Sequence, residues 1–336
     1  MKLDVRLAVE LADAGTAAAD FESAGYSGIW MAEAAHDPFL PLLRASSTTS
    51  RVELGTSIAV AFARSPMTVA VTANDLHRDS GGRFVLGLGS QIQAHITKRF
   101  SMPWSRPAAR MREYVQALHA IWAAWNEGTR LNFRGDFYAH TLMTPFFSPS
   151  PNPWGPPKIF LAGVGERMTE VAGEVADGFI CHAFTTERYL RERTIPALAR
   201  GRAAAGKTME GFEIAGPSFV VTGADEKEFA AADEAARRQI AFYGSTPAYR
   251  LVLEQHGWGH LQDELNALAK AGRWDDMGSV IDDEVLDAFA VVAEPERIGP
   301  ELHRRYGDVV QRISLYLPYE DDPGRWGPVI KAVTTV

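Results

Sequence analysis

Strand-like apolar runs alternate with helix-length segments along almost all of this 336-residue chain, and that rhythm constrains its fold more than any other feature. Residues 3–9 read as a strand and 11–24 as an Ala-rich helix with Asp20 and Glu22 on its wetter side. Gly25-Tyr26-Ser27-Gly28 turns into the strand Ile29-Trp30-Met31, then come a short helix over 38–49 and a strand over 52–60. A third helix over 66–79 starts with Pro66, tolerated there because a first-turn amide has no intrahelical acceptor. Ser80-Gly81-Gly82 stops it, and a fourth strand over 83–89 ends in Gly87-Leu88-Gly89. Further strands are expected over 158–161, 178–181, 212–221 and 309–317, with helices over 166–175, 186–205, 225–242 and 295–306. The segment 321–336 supplies a short closing helix. Strands separated by helices of about ten or more residues signal βαβ units, and right-handed crossovers then give a parallel sheet. Eight such units predict an α/β fold, a (β/α)8 TIM barrel forming one domain over 1–336.

Three excursions interrupt the rhythm, near 90–107, 127–157 and 245–292. The first carries His95, Arg99, Phe100 and Trp104, and leads into a helix over 108–126 with Met111, Val115, Leu118 and Trp122 near one face. The second is rich in Gly, Pro and aromatics, the third mostly helical and partly acidic. Loops this long usually cover a site or carry one, so lids and subunit contacts are both open roles. Composition narrows the partners. A net charge of −8 argues against a dedicated nucleic-acid surface. No uninterrupted apolar run reaches about 18 residues, so no membrane span is expected. Asp4 and Arg6 fall where a signal peptide needs an apolar stretch, and the single cysteine, Cys181, cannot form an intrachain disulfide. The reading is a cytoplasmic chain acting on a small molecule.

In a barrel of this kind, chemistry gathers at the C-terminal ends of strands. Those ends bring forward Glu33, His36 and Asp37; Ser57 to Phe62; Gly89, Ser90 and Gln91; Gly163-Val164-Gly165; and Cys181, His182 and Phe184. Gly163-Val164-Gly165 just before a helix suits phosphate, because glycine permits close approach and free amides favour an anion. Arg167 adds charge; Glu166 opposes it unless its side chain turns away. On residues alone the turn reads equally as a plain βα junction. Gly87-Leu88-Gly89 lacks the third glycine of a dinucleotide fingerprint. Glu33, His36 and Asp37 suit proton transfer or polar recognition, or form a hydrogen-bonded loop. His95 is a further mouth residue. His256-Gly257-Trp258-Gly259-His260 lacks the glutamate and the helix-forming interior of a metalloprotease motif, so no metal is assigned. Cys181 beside His182 reads as a buried structural thiol.

The chain carries, in this order, Gly28-Ile29-Trp30-Met31-Ala32-Glu33, Glu53-Leu54-Gly55-Thr56-Ser57-Ile58, Gly82-Arg83-Phe84-Val85-Leu86-Gly87-Leu88-Gly89-Ser90 and Glu174-Val175-Ala176-Asp177-Gly178-Phe179. In their order and spacing these motifs resemble the bacterial luciferase-like flavin/deazaflavin superfamily, particularly its F420-dependent oxidoreductases of actinobacterial type. Ala34-Ala35-His36-Asp37-Pro38-Phe39 and Phe100-Ser101-Met102-Pro103-Trp104 sharpen the match. The resemblance implies a luciferase-like TIM barrel with extended excursions and a cofactor across its mouth. It puts the cofactor phosphate near Gly163, Val164, Gly165, Arg167 and Met168, and a non-proline cis peptide around Ser57, Ile58 and Ala59. Gly89, Ser90 and Gln91 complete the implied cofactor contacts. Many F420-dependent alcohol or sugar-phosphate dehydrogenases place a histidine directly after the acid matched by Glu33; here that position is Ala34, with His36 two residues on. The glutamate that sugar-phosphate enzymes carry after strand four is matched by Ile92.

The expected function is therefore two-electron hydride transfer between F420 and an unidentified organic substrate. His36 is the first acid/base candidate, with Glu33 and His95 secondary. One alternative is an FMN-dependent luciferase-like monooxygenase supplied by a partner flavin reductase; another is a non-catalytic F420 or flavin carrier. A homodimer is what the resemblance implies about assembly.

Overall fold

The computed structural model describes residues 1–319 and 323–334. Its parallel strands alternate with helices in the order of a (β/α)8 barrel. Contacts within the chain gather into two compact units. One unit comprises 5–180 and 197–213; the other comprises 1–4, 181–196 and 214–336. Among the described residues, no helix is long and apolar enough to cross a membrane.

In the larger unit, strands Gly28–Met31, Glu53–Thr56, Phe84–Gly89, Lys158–Ala162 and Gly178–Ile180 pair in parallel in that order. Strands buried on both faces need continuous apolar runs, and every residue of Gly28–Met31 and Phe84–Gly89 is buried. Helix Pro66–Asp79 starts where Ser65 Oγ accepts from the Thr68 amide at 3.1 Å, and His77 Nδ1 lies 3.0 Å from the Phe84 carbonyl oxygen. Helix Pro107–Asn126 buries Met111, Val115, Leu118 and Trp122 as its spacing predicts. The strand expected over 52–60 is broken: Glu53–Thr56 and Ala59–Val60 are separate, with Ser57-Ile58 between them. Within the 127–157 excursion, Phe133–Arg134 and Ala139–His140 form an antiparallel ladder. Its turn is held by Glu113, whose carboxylate accepts from the amides of Asp136, Phe137 and Tyr138.

In the smaller unit, strand Glu213–Val221 pairs with Arg312–Tyr316, and residues 2–4 pair with 312–314. The 245–292 excursion is helical as expected until its end. There Ala290–Val292 forms an additional parallel strand beside Phe219–Val221, too short for periodicity to reveal. Helix Gly327–Thr334 lies in the segment expected to close the chain; 320–322 and 335–336 fall outside the described residues. Asp4, whose charge interrupts the first apolar run, is 3% exposed and takes a two-pronged contact from the fully buried Arg312 guanidinium (2.7 and 2.9 Å). Removing one partner of a buried pair of this kind costs about 3–5 kcal/mol. Asp4→Asn should lower the thermal midpoint by at least about 5 °C, and Asp4→Leu with Arg312→Met should recover most of the loss. Equal midpoints for wild type and Asp4→Asn in a thermal melt would contradict this role.

Candidate functional site

The larger unit brings the ends of strands three and four together. Thr56 Oγ1 donates to the Gly87 carbonyl (2.7 Å) and accepts from the Gly87 amide (2.9 Å). A Cβ on Gly87 would stand 1.7 Å from the Thr56 carbonyl oxygen, and one on Gly89 would meet Ile58 Cγ1 at 2.8 Å. Only glycine at both positions lets the two strand ends lie this close. The Ser57–Ile58 peptide bond is cis, where the resemblance places one. Ser57 donates its amide to Met31 O (2.7 Å), and Ile58 O accepts from the Glu33 amide (3.1 Å). Ala59 and Val60 then pair with Leu88 and Gly89. Ser57, Ile58, Ala59 and Gly89 are thus neighbours, with the half-buried Ser90 and Gln91 just beyond.

The loop after strand two is pinned from outside itself. Glu33 Oε2 accepts from the Val60 amide (2.7 Å) and from Arg64 (2.6 Å), and Arg64 also holds Asp37 at 3.0 Å. Burial disfavours the Arg64 cation, but Glu33 and Asp37 outweigh it, and the guanidinium pKa is raised. Asp37 Oδ1 accepts from the Phe39 amide at the start of helix Phe39–Thr48, and Arg99 donates to the Ala34 carbonyl. Glu33, a secondary acid/base candidate, therefore has its carboxylate engaged in holding this loop. His36 stands exposed at its centre, with Nε2 3.9 Å from Glu10 Oε1 in the loop that follows strand Lys2–Arg6. Sequence reading missed Glu10, Arg64 and Arg99 in this cluster, because none lies in a recognisable motif with its partner. His95 is exposed at the start of a one-turn π-helix, His95–Arg99.

The turn Gly163-Val164-Gly165 leads into helix Glu166–Val175, whose N-cap, Gly165, brings no side chain to the free amides. A Cβ on Gly165 would meet nothing within 4 Å, whereas Met168 packs closely on Gly163. The objection raised by Glu166 is resolved: its carboxylate pairs with Arg200, which also holds Glu170 at 2.8 Å. Arg167 is exposed and, among the described residues, in no ion pair. The turn thus keeps its amide and cationic character.

The sequence profile of the family described as luciferase-like monooxygenase matches residues 4–312. The chain belongs to that family. An uncharacterized protein of Mycobacterium tuberculosis is 56% identical over 313 residues, covering 93% of this chain and 92% of its own length. Among solved structures, the chain resembles the coenzyme F420-dependent tetrahydromethanopterin reductase from Methanopyrus kandleri (TM-score 0.79, 18% identity, 98% and 97% of the two chains). It also resembles the EDTA monooxygenase from Chelativorans sp. (TM-score 0.74, 14% identity, 99% and 92%). These likenesses show the luciferase-like barrel, and family members of this kind are oxidoreductases or monooxygenases.

In the smaller unit of this luciferase-like chain, Cys181 is buried and its thiol pKa is pushed up to about 12, which leaves it un-ionised near neutrality. His256 stacks on Trp258 (4.4 Å between centroids) with Nε2 2.8 Å from Thr186 Oγ1. His182 lies against Tyr249 (4.6 Å) and edge-on to Tyr243 (4.8 Å). Its Nδ1 accepts from the Phe184 amide (3.0 Å), which puts the ring proton on Nε2, facing Tyr249 Oη at 3.1 Å. Burial pushes the His182 pKa down to about 4. The unfolded chain protonates this ring near pH 6.5, the folded chain only near pH 4. His182 therefore takes nothing from stability above that window, and as pH falls through it favours unfolding by up to about 3 kcal/mol. The thermal midpoint of His182→Phe should drop less than that of wild type between about pH 7 and pH 4.5. Identical pH slopes would show that His182 is not the group responsible.

Proposed function

We propose that the chain is an F420-dependent oxidoreductase that moves a hydride between the deazaflavin and an organic substrate. The observation that carries this reading is the turn Gly163-Val164-Gly165, with Glu166 drawn off to Arg200 and Arg167 in no ion pair among the described residues, which fits the anionic part of such a cofactor. Met168 would back that turn through its packing on Gly163. Ser57, Ile58, Ala59 and Gly89 would support the ring, with Ser90 and Gln91 as polar neighbours. When bound, F420 supplies the two-electron redox chemistry, which no side chain here provides.

The remaining work falls to the chain itself. The loop 33–37, clamped by Arg64 and Arg99, carries His36. Glu10 lies 3.9 Å from its Nε2, and His36 is the side chain this loop offers to deliver or accept the substrate proton. Fixed placement of that group and exclusion of water are what the protein adds to the rate. A net charge of −8 weakens long-range attraction of an anionic cofactor at low salt, and the local amides and Arg167 oppose that field.

Titration of the purified chain should show tighter binding of F420 than of FMN. His36→Asn should then slow hydride transfer by about 100-fold with cofactor affinity nearly unchanged. A rate within about twofold of wild type at equal affinity rejects His36 as the proton-transfer group. Preferred binding of FMN with O2-dependent turnover would replace the F420 reading with that of a monooxygenase.

A further inference from the structure

We propose that Arg110 and Tyr114 bind the carboxylate of the substrate, which makes that substrate an organic acid with a flat apolar body. The proposal deepens the oxidoreductase reading and rests on it for the word substrate; the anion site itself stands on separate observations.

Arg110 lies in the first turn of helix Pro107–Asn126 and is only 7% exposed. Its Nε donates to Tyr138 Oη (2.8 Å) and one terminal nitrogen to the Pro103 carbonyl (2.7 Å). A guanidinium has more N–H donors than these two contacts use. Among the described residues, no carboxylate lies within ion-pair distance of Arg110. The contrast within this chain is direct: buried Arg312 has Asp4, and Arg64 has Glu33 and Asp37. Buried cations are normally paired, because the desolvation they suffer is otherwise uncompensated. Arg110 instead faces the rings of Phe62 and Tyr138, 4.4 and 5.6 Å from its central carbon.

One helical turn on, Tyr114 is fully buried, and its Oη has no hydrogen-bond partner among the described residues. Residues four apart share a helix face, so the free donors of Arg110 and the Tyr114 hydroxyl belong to one side of this helix. Burial raises the Tyr114 pKa well above its ordinary value, so the phenol stays a neutral donor. A planar guanidinium beside a hydroxyl donor matches a carboxylate, which accepts two parallel hydrogen bonds and a third from the side. The neighbouring side chains are aromatic: Phe62 meets Trp104 edge-on at 5.8 Å, and Tyr114 meets Tyr138 at 5.4 Å. Such surfaces suit a flat apolar body behind the acid group. The position also fits the proposed chemistry. Phe62 follows Val60, whose amide holds Glu33, so the anion site adjoins the strand-three end of the candidate site.

Calorimetric titration of the full chain with benzoate and with its neutral analogue benzamide tests the proposal. Wild type should bind benzoate at least tenfold more tightly than benzamide. Arg110→Gln should abolish that preference, and Tyr114→Phe should weaken benzoate binding about three- to tenfold. Equal binding of the two probes by wild type, or binding of neither, overturns the site, as does a preference that survives Arg110→Gln. Should Arg110→Gln fail to fold, Tyr114→Phe decides, and unchanged benzoate affinity then overturns the proposal. F420 titrated in parallel separates the two readings. Cofactor binding without benzoate preference removes only the anion site, and benzoate preference without F420 binding removes only the cofactor assignment.

Discussion

The ion pair between Glu33 and Arg64 fixes the relation on which the candidate site depends. Strand two ends at Met31, five residues before His36, and a free loop there would leave the imidazole unplaced. Glu33 instead reaches across to the Val60 amide and to Arg64, and Arg64 returns to Asp37. The carboxylate is 6% exposed and the guanidinium 19%, so water does little to screen their attraction. Replacing both partners by apolar groups would cost the fold little, whereas losing one would strand a buried charge. The pair is better understood as a device for position than as a source of net stability. It joins the end of strand two to the end of strand three, where Ser57, Ile58 and Ala59 lie against Gly89.

How far this was legible in the sequence follows from the range of each interaction. Helix Pro66–Asp79 and strand Phe84–Gly89 lie close to their expected limits, since Ser65, Pro66 and the glycines at 81 and 82 act locally. The rank of glycines at 87 and 89 was visible as well; the close approach of Thr56 that demands them was not. A strand read as continuous over 52–60 is broken, because nothing in the polarity of Ser57-Ile58 distinguishes a turn from an extended residue. Asp4 looked like a charge that merely interrupts an apolar run. Its partner, Arg312, lies 308 positions on, beyond any pattern a window can detect. The same holds for Glu33 with Arg64, and for Arg99 with the Ala34 carbonyl 65 residues away. Candidate residues were found by their place at strand ends; the groups that position them were not.

Charge is distributed here by neighbourhood. The chain carries a net −8, yet the groups around its candidate site repeatedly leave cationic or amide character available. Arg200 takes up the carboxylate of Glu166, so the amides ahead of helix Glu166–Val175 and the Arg167 side chain are not neutralised by their nearest acid. Arg110 is buried against Phe62 and, among the described residues, has no acid in ion-pair range. Glu113, three residues on, gives its carboxylate to the hairpin amides at 136–138. An acidic protein can present such sites because a short-range hydrogen-bond donor outweighs a screened long-range field.

The claim that bears most of this account is that the amides opening helix Glu166–Val175 receive the anionic part of a deazaflavin. Backbone amide shifts of the 15N-labelled chain, followed on addition of F420, address it residue by residue. The account expects the largest changes at Gly165, Glu166 and Arg167, with smaller ones at Ser57 to Ala59. Saturable F420 binding that leaves 165–167 unmoved would contradict it.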